Sequence, residues 1–115
     1  MKSMTTKIAL AALFMALSSS TMAGTVTATI NRVYMNAATG LMLVKVNGTV
    51  TGKPACATSV SWDFALTLPT TISPKRDTYA LLLTAHAATR SVTFTGAGTC
   101  TAFTTAEDIT NAYMN

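Results

Sequence analysis

One stretch of the chain, residues 73–89 (SPKRDTYALLLTAHAAT), repeats its apolar residues at helical spacing, and runs that alternate apolar and polar residues flank it on both sides. This arrangement restricts the fold more than any other feature: it describes a mainly β domain with one helix set between strands. Ser73 suits an N-cap, Pro74 suits the first helical position, and Asp77 lies near the positive end of the helix. Tyr79, Leu82, Leu83 and His86 stand at i, i+3, i+4 and i+7, and Leu81, Ala85 and Ala88 form a second stripe beside them. The helix is therefore apolar over more than half its circumference. Two expectations follow. Either Tyr79, Leu81, Leu82, Ala85 and His86 belong to an oligomer-forming helix, or the helix is deeply buried within one domain.

The flanking runs read as strands. Val26, Ala28 and Ile30 alternate with Thr25, Thr27 and Thr29. NAATG (residues 36–40) is a turn signal. In LMLVKV (residues 41–46), Met42, Val44 and Val46 share one face, and Leu41, Leu43 and Lys45 the other. Asn47-Gly48 signals a tight turn, after which a hairpin or irregular excursion leads to Cys56. SVSWDFALTLP (residues 59–69) reads as a strand with Val60, Trp62, Phe64, Leu66 and Leu68 toward the core, stopped by Pro69. Trp62 reads as core because its neighbours at period two are apolar; a ligand platform is its alternative role, and Tyr34 is a second candidate platform. Beyond the helix, Val92 and Phe94 point inward and GAG (residues 96–98) permits a bend or bulge. TCTAFTT (residues 99–105) is expected to resume a short strand, AEDI (residues 106–109) to turn, and ITNAYMN (residues 109–115) to form an edge strand or ordered tail.

The N-terminal residues set the compartment. Lys2 and Lys7 precede an uninterrupted apolar run over residues 8–17, and small residues lead to Ala23. This is the pattern of a secretory signal peptide over residues 1–23, cut after Ala23. The apolar run is too short for a membrane span, which takes roughly 20 residues. Residues 24–115 would then form a single domain of 92 residues, exported to the periplasm or beyond. A domain of this size gains from covalent stabilisation. Cys56 and Cys100 are the only cysteines, and an oxidising compartment favours joining them. The loop they would close is worth roughly 4 kcal/mol on a chain-entropy estimate.

Little in the sequence carries chemistry. Residues 24–115 hold six lysines and arginines against four acids, a net of +2, and the positive residues are scattered. No basic stripe with interleaved aromatics marks a nucleic-acid partner. Two cysteines and one histidine do not point to a protein-only zinc site in one chain. His86 lacks a nucleophile elbow near it and lies on the apolar helix stripe, where a packed residue with one hydrogen-bond partner is expected. Glu107 and Asp108 are adjacent, so their side chains should point apart rather than face each other as a glycosidase pair does; a solvated loop is the expectation for both, with a calcium or oligomer contact as lesser alternatives. No enzyme activity, cofactor or metal site is expected.

LMLVKVNG, PACAT, WDFALTL, TYALLLTAHAATRSVTFTGAGTC and AEDI together resemble a group of small exported proteins of Gram-negative bacteria. More remotely, the order of strands, one helix, further strands and a long-range disulfide resembles the B subunits of AB5 toxins. That resemblance implies an OB-like small barrel, a ring-shaped homo-oligomer such as a pentamer lined by helices, and glycan binding. It transfers no receptor residue by position. The alternatives are a periplasmic structural or protein-interaction module, or an inhibitor of an exported enzyme, with no small ligand.

Overall fold

The computed structural model describes residues 22–115; most of the expected signal peptide, residues 1–21, lies outside the described residues. Five strands and one helix follow in the order β1 (Thr25–Asn36), β2 (Leu41–Val46), β3 (Phe64–Thr67), α1 (Pro74–Ala87), β4 (Ser91–Gly96) and β5 (Glu107–Met114). The strands close a barrel in the order β1-β2-β3-β5-β4, with β4 returning to β1. All pairings are antiparallel except β3 with β5. This is the connectivity of a small OB-like barrel, with the helix inserted between β3 and β4. Among the described residues no helix is long and apolar enough to cross a membrane.

β1 serves two neighbours. Residues Thr25 to Thr29 pair with β4, whereas Ile30 to Asn36 pair with β2, and the register shifts between Ile30 and Arg32. The bulge resets the alternation. Before it, Val26, Ala28 and Ile30 face the core; after it, Val33 and Met35 do. Arg32 and Tyr34, which keep the parity of Ile30, are turned outward as a result. A bulge of this kind bends a strand and re-aims its side chains.

The barrel interior is filled by Met42, Val44, Phe64, Val92 and Phe94, all fully buried, with Leu82 and Ala85 closing it from the helix. Phe64 and Phe94 stack with centroids 4.9 Å apart. Burial of each large side chain contributes about 1.5–3 kcal/mol. The helix begins as the sequence indicates: the Ser73 hydroxyl accepts the Lys75 N–H at 3.2 Å, and Pro74 takes the first helical position. Tyr79 and Leu81 pack at the margin of the same core.

Three stretches differ from the sequence expectation. The expected strand over residues 59–69 is a strand only from Phe64 to Thr67, and Val60 is 88% exposed rather than in the core. Its alternation was real but the backbone there is diverted by other bonds: the Ser59 hydroxyl takes the N–H of Trp62, and the Ser59 N–H goes to Thr105 O. Residues 99–105 form bends and a turn rather than a strand, because the Thr101 and Ala102 N–H groups go to the Asp108 side chain. Finally, Glu107 and Asp108 do not lie in a solvated turn. They open β5, which pairs in parallel with Phe64 and Ala65 and closes the barrel.

Candidate ligand-binding face

The outward side of β1, β2 and β3 gathers the groups best suited to hold a ligand. Cross-strand register places Arg32 opposite Lys45, Tyr34 opposite Leu43, and Leu43 opposite Ala65. Trp62, immediately before β3, lies over this surface. Its ring centroid is 6.0 Å from that of Tyr34, with the planes tilted by 49°. The Arg32 guanidinium carbon stands 4.8 Å from the Trp62 ring centroid, and Arg32 Nη2 donates to Ser61 O at 3.1 Å. Arg32, Trp62 and Tyr34 therefore form one cationic and aromatic cluster, with Tyr34 43% exposed. A guanidinium over an indole is attracted to the ring face and is fixed in orientation by its backbone acceptor.

Trp62 is both packed and accessible. It rests on a small outer cluster of Leu43, Ala65 and Ala106, joined by Leu41, Ala102 and Phe103. This cluster is separate from the barrel interior, so Trp62 has a core role of a local kind as well as an outer edge. Beside it, Lys45 Nζ lies 3.4 Å from Asp63 Oδ2. The same Asp63 oxygen accepts the Val46 N–H at 2.9 Å. Lys45 and Asp63 also border an open groove of about 530 Å³ that continues past Lys53, Thr58, Ser59 and Val60.

Two loops make the rim of this face, and a disulfide and hydrogen bonds fix them. Cys56, between β2 and β3, is bonded to Cys100, between β4 and β5. Asp108 holds the second loop: it accepts from the hydroxyls of Thr99 and Thr101, each at 2.7 Å, and from the N–H groups of Thr101 and Ala102 at 2.9 Å. Burial on its own raises the Asp108 carboxyl, but the Ala102 N–H, the two threonine hydroxyls and the Thr101 N–H outweigh it and hold the group below its ordinary value. Every buried side-chain nitrogen and oxygen among the described residues has a hydrogen-bond partner.

The remaining residues singled out in the sequence fall elsewhere. His86 is exposed near the helix end rather than packed, yet its ring reaches β1, with Nδ1 3.2 Å from Ile30 O, the single hydrogen-bond partner expected of it. Leu82 and Ala85 are fully buried in the chain's own barrel, whereas Leu83 is 38% exposed and Ala80 and Ala87 also face outward. Among the described residues no three His, Cys, Asp or Glu side chains gather as metal ligands do. The sequence reading named Tyr34 and Trp62 but missed Arg32 and Asp63 as their neighbours. One signal for Arg32 was present: a charged residue at the inward parity of Val26, Ala28 and Ile30 requires the alternation to break before it. No protein-family model, curated protein or solved structure matches this chain.

Proposed function

We propose that the protein is an exported, non-enzymatic binding protein that recognises a glycan on the Arg32–Trp62–Tyr34 face. The observation that carries this reading is the convergence of Tyr34 and Trp62, distant in sequence, on the outer surface of β1–β3. OB barrels use the face of strands 2 and 3 and the adjoining loops for oligosaccharides and oligonucleotides. Aromatic rings offer the apolar face of a sugar a flat partner, while polar groups beside them supply orientation. Arg32, Lys45 and Asp63 provide donors and acceptors within the same neighbourhood. The Cys56–Cys100 disulfide is compatible with an exported protein and, with Asp108, pre-organises the loops at the rim. Loops already fixed in the free protein lose less entropy when ligand binds.

The second part of the proposal is a homo-oligomer, a ring of the kind formed by AB5 B subunits, in a Gram-negative periplasm or outside the cell. The outward helix residues Ala80, Leu83 and Ala87 support it: they form an apolar strip that the chain's own barrel does not cover. Multi-angle light scattering at micromolar concentration tests the assembly, and a multimeric mass, five subunits in the pentamer case, is expected. A monomer overturns the ring. Glycan-array screening tests the ligand class. Clean absence of sugar binding by a folded oligomer overturns the glycan reading in favour of a protein-interaction module.

A further inference from the structure

Glu107 opens β5 with its side chain fully buried. Among the described residues its carboxylate receives backbone N–H groups alone. The Gly24 N–H lies 3.0 Å from Oε1 and 2.9 Å from Oε2, and the Gly98 N–H lies 2.8 Å from Oε2. No described lysine or arginine stands within ion-pair distance of it; the ion pair among the described residues is Lys45–Asp63. The surrounding backbone is as close as it can come. A Cβ on Gly96 would fall 2.1 Å from the carboxylate, and a Cβ on Gly24 would fall 2.4 Å from Oε1. A buried carboxylate enclosed in this way, with no positive partner, is costly.

Gly24 is also the first residue beyond the expected cleavage point at Ala23. We propose that hydrolysis of the Ala23–Gly24 bond supplies the missing cation, and that the Gly24 α-ammonium forms a buried ion pair with Glu107. The inference rests on the export reading above. An export-route peptidase directs water at the amide: the hydroxyl joins the Ala23 carbonyl carbon, the C–N bond breaks, and the Gly24 nitrogen leaves as an amine that is protonated at neutral pH.

In the uncut chain a single N–H is shared between two carboxylate oxygens. The ammonium offers three from the same nitrogen, enough to serve both. That nitrogen is positioned without help from residue 23. The Gly24 carbonyl accepts the Gly96 N–H at 2.8 Å, and Thr25 exchanges bonds of 2.9 and 3.1 Å with Thr51. The barrel, its core and the disulfide all lie within residues 24–115. Gly24 is buried and Ala23 exposed, so the bond between them is most accessible before the barrel closes.

The test has three readings. The intact mass of protein exported from the full chain should begin at Gly24; any other start overturns the processing site. Next, the protein of residues 24–115 is compared with one retaining Met22 and Ala23, each with and without Glu107→Gln. At pH 7 the form starting at Gly24 should melt about 5–15 °C higher, and Glu107→Gln should abolish most of that gap. Equal midpoints, or a gap untouched by Glu107→Gln, overturn the ion pair. Third, the α-amino group of the wild-type protein should titrate above the ordinary value near 8, a reading that does not depend on the variant folding. On the alkaline side the stabilisation should then persist to about pH 8 and vanish as pH rises through the raised folded value; an α-amino group titrating in its ordinary range overturns the proposal. None of these readings involves a sugar, so loss of the glycan reading leaves them intact.

Discussion

Thr89→Gly should stabilise the protein. Thr89 has φ of +54°, the one non-glycine residue with positive φ among those described. The helix end explains why it is held there. The Arg90 N–H returns to Ala85 O at 2.9 Å and the Thr89 N–H to His86 O at 3.3 Å. These are the paired bonds of a Schellman ending, in which the residue at the Thr89 position is left-handed and most often glycine. A side chain with a Cβ in this conformation costs about 1–2 kcal/mol. Glycine gives back about 0.5–1 kcal/mol through the freedom it has when unfolded. The net gain is about 0.5–1 kcal/mol, or roughly 2–8 °C in the midpoint of a domain this small. Urea unfolding with the disulfide intact measures it, and the urea slope should not change. Thr89→Ala serves as the control because it keeps the Cβ and should gain less. A glycine variant no more stable than wild type, or an alanine variant equally stabilised, would refute the claim that strain resides at this φ.

Three further outcomes are expected. Replacing both cysteines by serine should lower stability by about 4 kcal/mol on the chain-entropy estimate, read by denaturant titration, and shift the emission of Trp62 as the rim loops loosen; an unchanged midpoint contradicts the staple. Val60→Ser should change stability by less than about 0.5 kcal/mol, whereas Phe64→Ala should cost about 3–5 kcal/mol, because Val60 is solvent-facing and Phe64 is enclosed. The Asp108 carboxyl is held below the ordinary carboxylate range in the folded protein by its hydrogen bonds from Thr99, Thr101 and Ala102, which outweigh burial. Its contribution is therefore complete above the unfolded value and is lost as pH falls through the lower folded value. Asp108→Asn should weaken the protein at pH 7 and flatten that part of its acid sensitivity, as followed by thermal melts from pH 7 to pH 2.

The elements whose evidence is local were legible in the sequence. Ser73 and Pro74 announce the helix through their own backbone preferences, and Val92 and Phe94 announce β4 through strict alternation. The cysteine pairing followed because there was one pair to make. What escaped was decided at long range. Nothing near Glu107 announces a strand; it is drawn into one by Phe64 on the neighbouring strand β3 and by Gly24, 83 residues earlier. Val60 alternates with the residues of β3, yet Ser59 and Thr105 pull its segment out of the sheet. The candidate face shows both cases. Tyr34 and Trp62 were identifiable as aromatic platforms, but their meeting depends on the bulge after Ile30 and on the register of β1 with β2.

Trp62 is the only tryptophan in the chain, so its fluorescence reports on the candidate face alone. The most direct test titrates glycans found by array screening into the oxidised protein while recording this emission, for wild type and for Tyr34→Ala. Tyr34 is largely outside the core, so its removal should leave the barrel folded. The account predicts a saturable change in Trp62 emission that Tyr34→Ala weakens at least tenfold, about 1.4 kcal/mol of binding free energy, with the unfolding midpoint little altered. Sugar binding that leaves the emission unchanged and survives Tyr34→Ala would contradict it, as would a folded wild-type protein that binds no glycan.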